Sequence, residues 1–133
     1  AVAMAGMFGY ELDITRLPDH QLDEIRDQVM FYKDIRDIVT FGEYYRLLDT
    51  DESSYFAWMF LSEDRSRAVV SIITKIKSYS DPRKYIRLKG LDEDAVYELE
   101  GKRYYGSTLM KVGIEHFGSN DFQTRVFILK KVD

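Results

Sequence analysis

The hydrophobic pattern of the chain divides into a helical part followed by a longer part with the period of β-strands. Within residues 18–39, apolar side chains recur at helical spacing, and charged side chains, most of them acidic, fall mostly on the other side. A Pro-Asp pair opens this stretch and Gly42 follows it, as is typical of helix ends. Residues 29–32 are four consecutive uncharged bulky residues, which leaves the helix apolar on more than one side. We therefore predict one long amphipathic helix lying between two other layers.

The N-terminal residues predict a strand of a different kind. Residues 1–14 are small and apolar without alternation, which is typical of a strand buried on both faces. Gly6 and Gly9 indicate where this strand passes into a loop. A strand, a loop and a helix make up half of a βαβ unit, but no second such unit follows. The pattern therefore predicts that residues 1–41 belong to a different architecture from residues 42–133.

From residue 42 onward the hydrophobic period is two. The predicted strands cover residues 43–48, 55–61, 68–77, 85–89, 95–100 and 122–132. The residues predicted to share one face are Ala68, Val70, Ile72, Thr74 and Ile76 on the third strand, and Phe122, Thr124, Val126 and Ile128 on the last. Residues 106–112 could be a helical turn or irregular. The predicted fold is mainly β: an antiparallel β-sandwich of Greek-key type, preceded by a strand and the long helix.

Composition is typical of one globular domain. The chain has 133 residues, 45% of them hydrophobic and 32% charged. Its net charge of −4 disfavours nucleic-acid and membrane partners, because both attract basic patches. The absence of cysteine excludes disulfides and thiolate chemistry and fits a cytoplasmic location. The longest apolar run is far too short to span a bilayer, and the first residue is not Met. We expect a piece of a longer protein, without a signal peptide.

The reactive residue types form no recognisable catalytic or metal-binding motif. His20 and His116 are the two histidines; neither has a His or Cys neighbour, and both are predicted to be solvated. The acidic clusters at residues 49–52 and 92–94 lack the Gly and Glu of a calcium loop, so they are predicted to be solvated turns. No phosphate-binding glycine loop or nucleophile elbow occurs. We therefore assign no catalytic, cofactor-binding or metal-binding residue and expect no cofactor.

Tyrosine is abundant, with ten copies. Tyr44-Tyr45 and Tyr104-Tyr105 are adjacent pairs, and adjacent strand residues face opposite sides, so one member of each pair is predicted to point outward. An exposed ring could stack on a sugar, although aromatic residues are also simply favoured in strands. Trp58 lies among apolar neighbours and is predicted to belong to the core.

Seven short motifs run in order across nearly the whole chain. They are Phe8-Gly9-Tyr10-Glu11-Leu12-Asp13-Ile14, Phe41-Gly42-Glu43-Tyr44-Tyr45-Arg46-Leu47, Ala57-Trp58-Met59, Ser62-Glu63-Asp64, Leu88-Lys89-Gly90-Leu91-Asp92, Leu109-Met110-x-Val112-Gly113 and Asp121-Phe122-Gln123-Thr124-Arg125. In combination they closely resemble the C-terminal part of bacterial α-galactosidases of glycoside hydrolase family 36.

This resemblance implies an architecture and an activity. Enzymes of the family carry an N-terminal β-supersandwich, a central (β/α)8 barrel and a C-terminal antiparallel β-sandwich. The resemblance places residues 1–9 on the last barrel strand, residues 18–39 on the last barrel helix and residues 42–133 in the sandwich. The family hydrolyses terminal α-galactosides such as melibiose and raffinose with retention. Its nucleophile and acid/base aspartates lie on earlier barrel strands, so no catalytic residue is carried over to this chain.

Two functions remain open at this point. The chain is either a structural domain, inactive alone, whose partners are the catalytic barrel and its α-galactoside substrate, or a carbohydrate-binding module that uses exposed Tyr or Trp. We also expect the isolated chain to self-associate as a two-fold dimer through the bare edge of its N-terminal strand and the apolar surface of the helix. The alternative is that residues 1–14 fold back over the helix. Whether Met7, Phe8 or Tyr10 reach the rim of the barrel's active site is left open by the sequence.

Overall fold

A long helix and a small second sheet lie on opposite faces of a six-stranded antiparallel sheet. The structure is a computed structural model that describes residues 2–11, 13–48, 54–76, 83–116 and 120–132. The helices are α1 (Asp19–Phe41) and α2 (Gly106–Lys111), and the strands are β1 (Glu43–Arg46), β2 (Tyr55–Leu61), β3 (Arg67–Thr74), β4 (Lys84–Ile86), β5 (Val96–Leu99), β6 (Lys102–Tyr105), β7 (Ile114–His116) and β8 (Thr124–Val132). Short 3-10 turns lie at Ala3–Ala5 and Ile14–Arg16.

The strand order of the large sheet is β1-β2-β3-β8-β5-β6, and β4 pairs with β7 in the second sheet. Every pair is antiparallel. After the β5–β6 hairpin the chain crosses to the second sheet as β7 and returns to the large sheet as β8, between β3 and β5. The predicted fold class, mainly β with antiparallel sheets and one long helix, is confirmed.

Strand β3 is buried on both faces, and each face contacts a different layer. Ala68, Val70 and Ile72 point into the main core, which the second sheet covers. Val69 points the other way, into the cluster under α1. The predicted alternation along β3 is therefore confirmed. Ile76 is an exception, because it lies beyond the end of β3 and is exposed.

Helix α1 attaches to the sheet through a narrow apolar stripe and an ion pair. Ile35 and Ile38 are buried and pack against β2 and β3. Beside them Arg67, the first residue of β3, reaches Asp34 with an Nη2–Oδ2 distance of 3.0 Å and Asp37 with an Nη1–Oδ2 distance of 3.8 Å. The apolar stripe holds α1 on the sheet, and the ion pair joins the helix to the first residue of β3.

The predicted N-terminal strand is wrong, because the described residues before α1 contain no strand. Instead, the 3-10 turn Ala3–Ala5 packs against the cluster under α1, beside Phe31 and Tyr32. The Tyr32 hydroxyl donates to the Gly6 carbonyl oxygen at 2.9 Å. A parallel strand needs neighbouring strands to satisfy its backbone groups, and the described chain offers none. The segment folds back over the helix, as the alternative prediction stated.

Several smaller differences follow from what the pattern could not detect. Strands β6 and β7 are not among the predicted strands; both are short, and each forms only against a partner strand. Helix α2 forms within residues 106–112, which the sequence pattern left as either a helical turn or irregular structure. Phe122, predicted on a face of the last strand, precedes β8 and is exposed with φ 56°. The turns predicted at residues 49–52 and 80–82 lie outside the described residues.

Gly42 permits a close contact between α1 and the sheet, and this generates a test. A Cβ on Gly42 would lie 2.2 Å from the Ile38 carbonyl oxygen and 2.6 Å from that of Leu61. Both oxygens belong to hydrogen-bonded backbone and cannot move aside independently. We predict that Gly42→Ala lowers the free energy of unfolding by about 1–3 kcal/mol, measured by urea denaturation. The control is Gly9→Ala, whose Cβ would have nothing within 4 Å; equal losses for both variants would contradict the prediction.

Candidate functional site

The motif at residues 88–92 has a structural role. Leu88 and Leu91 are buried in the main core. Gly90 adopts φ 73°, and a Cβ there would lie 2.5 Å from the Tyr45 hydroxyl oxygen. This left-handed conformation and this close approach both require glycine. The motif therefore packs a loop against β1 and presents no reactive group.

Tyr97 connects three parts of the chain from inside the core. Its side chain is fully buried on β5. Its hydroxyl donates to the Arg65 carbonyl oxygen at 2.8 Å and accepts from the Asp92 backbone N–H at 3.1 Å. The β2–β3 turn and the loop before β5 are thus both bonded to one phenol oxygen. A buried hydroxyl with a donor and an acceptor partner is satisfied, and we assign it a structural role.

The acidic side chains of the turns are engaged in local hydrogen bonds. Asp64 Oδ1 accepts from the hydroxyls of Ser62 and Ser66, both at 2.7 Å, and these bonds lower the pKa of Asp64 to about 2. Lys131 Nζ lies 3.1 Å from Asp92 Oδ2, and this contact is the main cause of the lowered pKa of Asp92. Both carboxylates are therefore ionised at neutral pH. The predicted solvated turn at residues 92–94 is confirmed, since its second and third residues are exposed.

The described residues offer no grouping of three or more His, Cys, Asp or Glu that could hold a metal ion. Within the same residues, neither α1 nor α2 combines the length and the apolar character that a membrane-crossing helix requires.

His116 is buried, which corrects the prediction that it is solvated. Its exposed fraction is 0%. Its Nε2 lies 3.4 Å from Thr74 Oγ1, and the Tyr55 ring packs edge-on against the imidazole at 5.0 Å. Burial lowers the pKa of His116, and the positive charge of Arg125 lowers that pKa further. Residue spacing alone could not reveal this position, because β7 becomes buried only by pairing with β4. His20, on the first turn of α1, is exposed as predicted.

The tyrosine pairs alternate as predicted. Tyr44 and Tyr105 are exposed, whereas Tyr45 and Tyr104 are partly buried and pack against the main core. Trp58 is partly buried and packs against the cluster under α1, so it belongs to the interior as predicted and offers no open platform.

Met7, Phe8 and Tyr10, whose distance from the barrel's active site the sequence left open, differ in how they contact the helix. Met7 is 99% exposed. The Phe8 ring lies 5.3 Å from the Tyr32 ring, and the Tyr10 hydroxyl donates to Gln28 Oε1 on α1. Phe8 and Tyr10 are therefore held against the helix, and Met7 alone of the three projects away from it.

One open cleft of about 400 Å³ lies where the two sheets diverge. We call it the sheet-end cleft. Its polar and aromatic walls are Tyr85 from β4, Glu115 from β7, Glu100 from the β5–β6 turn, Lys102 and Tyr104 from β6, and Arg125 from β8. The buried residues Leu109 and Phe127 line its interior. These residues come from strands that are far apart in the sequence, so no local sequence motif predicts the cleft. The strand alternation predicts only that the Tyr85 side chain points away from the core.

Ion pairs define the rims of the sheet-end cleft. Arg125 Nη2 lies 3.1 Å from Glu100 Oε1 on one side, and Arg83 Nη1 lies 3.0 Å from Glu115 Oε1 on the other. The Arg125 guanidinium also lies 4.6 Å from the centroid of the Phe127 ring. All four charged side chains are accessible to solvent. The cleft therefore combines hydrogen-bonding groups with an apolar interior, and it contains no nucleophile with an adjacent base.

Family models match two parts of the chain. The model of the glycosyl hydrolase family 36 C-terminal domain matches residues 55–129, and the melibiase model matches residues 1–42. The first match covers more than half of the chain and includes every strand from β2 to β7 and most of β8.

Curated relatives match almost the whole chain. Alpha-galactosidase AgaA of Geobacillus stearothermophilus is 46% identical over 133 residues, covering 98% of this chain and 18% of the relative. The bifunctional alpha-galactosidase/sucrose kinase AgaSK of Mediterraneibacter gnavus is 40% identical over 84% of this chain and 12% of its own length. The chain thus spans less than one fifth of the length of these relatives.

Solved structures share the fold. The crystal structure of the GH36 alpha-galactosidase AgaB from Geobacillus stearothermophilus has a TM-score of 0.90 at 47% identity, covering 98% of this chain and 18% of that one. The AgaA crystal structure from the same organism gives 0.89 at 46% identity with the same coverage.

The burial of His116 predicts a pH-dependent stability. A lowered pKa in the folded state means that the unfolded chain binds the proton more readily. Stability is therefore fully present above the ordinary His pKa of 6.5 and falls as the pH drops below it. We expect the free energy of unfolding to decrease between about pH 7.5 and 5, and His116→Gln to flatten this slope. The carboxylates with lowered pKa values lose their contribution only at lower pH. His20→Gln is the matched control; a slope in His116→Gln equal to that of the unmodified chain would refute the prediction.

Proposed function

This chain belongs to glycosyl hydrolase family 36, and from that we propose that it is the C-terminal structural domain of an α-galactosidase. The longer enzyme would hydrolyse terminal α-galactosides of the melibiose and raffinose class with retention. The observation that carries the proposal is 46% identity over 98% of the chain to an enzyme named alpha-galactosidase. A related AgaA variant is described in complex with raffinose, which supports the substrate class.

The chemistry of the chain's own carboxylates supports a structural rather than a catalytic role. A retaining glycosidase needs one carboxylic acid whose pKa is raised so that it can protonate the leaving group. The fold instead lowers the pKa values of Asp13, Asp64 and Asp92. Each of the three accepts hydrogen bonds that favour the ionised form. These groups are therefore suited to holding turns together and unsuited to donating a proton.

We propose a boundary between a barrel-derived segment, residues 1–41, and a sandwich domain, residues 42–133. The different family models that match residues 1–42 and residues 55–129 support this division. So does the change from helix to antiparallel strands at Gly42.

The lack of cysteine supports a cytoplasmic location for the longer enzyme.

The proposed partner of the chain is the remainder of that enzyme. Met30 and Phe41 are exposed, lie on α1 and are eleven positions apart, so they share a helix face. Large apolar side chains that share an exposed face are typical of a contact surface. We propose that the catalytic barrel covers Met30 and Phe41.

We predict that the purified chain does not hydrolyse α-galactosides. It lacks a carboxyl group poised as a general acid among the residues described above, and the family resemblance places the catalytic aspartates elsewhere. The measurement is release of nitrophenol from a chromogenic α-galactoside, with a full-length relative as positive control. Turnover that co-purifies with the chain through two independent chromatographic steps would overturn the structural assignment.

We predict that self-association of the isolated chain is weak and runs through α1. The N-terminal strand does not form, so its exposed edge cannot provide the stronger contact between chains that the sequence predicted. Between Met30 and Phe41 the same helix face carries Asp34 and Asp37, which interrupt the apolar surface. We expect concentration-dependent sedimentation only near 100 μM, roughly the range of a weak contact. Phe41→Lys should abolish it, and Val112→Lys, which replaces an exposed apolar residue on α2's C-terminal side, should not. A strict monomer over the whole range would refute the prediction.

A further inference from the structure

We propose that the sheet-end cleft is an accessory saccharide-binding site that takes a neutral oligosaccharide. Its volume of about 400 Å³ lies within the range that is typical of small-molecule sites, roughly 300–1,000 Å³. It is open to solvent and formed by strands of both sheets, so no movement is needed to admit a ligand. The observation that carries the proposal is an exposed tyrosine facing mixed hydrogen-bonding groups above an apolar interior.

The charges at the cleft favour a neutral ligand. Glu100 and Glu115 are paired with Arg125 and Arg83, and Lys102 adds one further positive charge. Because four of these five charges are paired, the cleft has only a small net charge and little field that would select a phosphate, a nucleic acid or a polycation. The rim carboxylates and the guanidinium accept or donate several directed hydrogen bonds. Such groups suit a ligand with many hydroxyls, each of which both donates and accepts.

The aromatic and apolar groups of the cleft supply the apolar contacts that sugar recognition requires in addition to hydrogen bonds. Tyr85 is 53% exposed, so one part of its ring is open to a ligand. Tyr104 is partly buried and contributes its edge from β6. Behind them lie the buried side chains of Leu109 and Phe127. A sugar ring has an apolar C–H face and a polar rim of hydroxyls, and this cleft presents complementary surfaces for both.

The class of saccharide rests on the proposed function, whereas the site itself rests on the geometry. If the chain belongs to an enzyme of α-galactosides, the ligand at hand is an oligosaccharide that carries terminal galactose. A cleft outside the catalytic barrel would then bind additional substrate molecules and keep them near the enzyme. This is a binding role, and it forms and breaks no covalent bond.

The test is a titration of the ¹⁵N-labelled chain with raffinose, followed by backbone amide shifts. We expect saturable shifts at residues around the cleft, such as Lys102, Gly113 and Glu115, with a dissociation constant on the order of 1 mM. Tyr85→Ala should weaken this binding by about tenfold or more, because the stacking face is removed. Tyr44→Ala is the matched control: Tyr44 is also 53% exposed, but it lies on β1, the edge strand of the large sheet opposite β6.

The outcomes distinguish the site from the proposed function. Shifts at the cleft that Tyr85→Ala weakens and Tyr44→Ala leaves unchanged support the proposal. No saturable shift up to about 50 mM raffinose, well above a millimolar dissociation constant, overturns it. Identical shifts with glycerol, or shifts confined to the surroundings of Tyr44, overturn it as well. Galactose released during the titration would count against the inactive structural domain and would leave the binding site untouched.

Discussion

Strand β3 has no solvent-facing side, and the rest of the structure depends on this double burial. Ala68, Val70 and Ile72 form the centre of the main core, and Val69 contacts the cluster under α1. Because successive strand residues face opposite sides, one strand can connect two separate cores. Helix α1 must then lie over the sheet, since otherwise the second face would expose β-branched apolar residues to water. The two layers on the sheet thus bury both faces of this strand.

Close backbone contacts determine how the remaining loops fit onto this frame. A Cβ on Gly106 would lie 1.9 Å from the Asp92 carbonyl oxygen, and one on Gly113 would lie 2.5 Å from that of Ile86. Tyr97 adds hydrogen bonds between the same loops and the β2–β3 turn. The short motifs that resemble the family therefore mark packing positions.

The two surfaces of the molecule offer different kinds of interaction. The face of α1 and the segment folded on it expose large apolar side chains, which suits contact with a protein. The sheet-end cleft on the far side of the sheet carries mostly paired charges beside Tyr85 and suits a small polar ligand. A single sheet separates the two, so a domain attached through α1 would keep the cleft accessible.

The sequence by itself determined the elements whose pattern is local. Residues 55–61 form β2 with the predicted bounds, and the long helix and the alternation along β3 follow from periodicity, because burial of one face leaves a period in the chain. Only the tertiary structure decided what depends on a remote partner. The N-terminal residues have no neighbouring strand and form a turn, His116 is buried because β7 pairs with β4, and the sheet-end cleft joins residues from several strands. The local sequence pattern does not indicate which remote segments pair with one another.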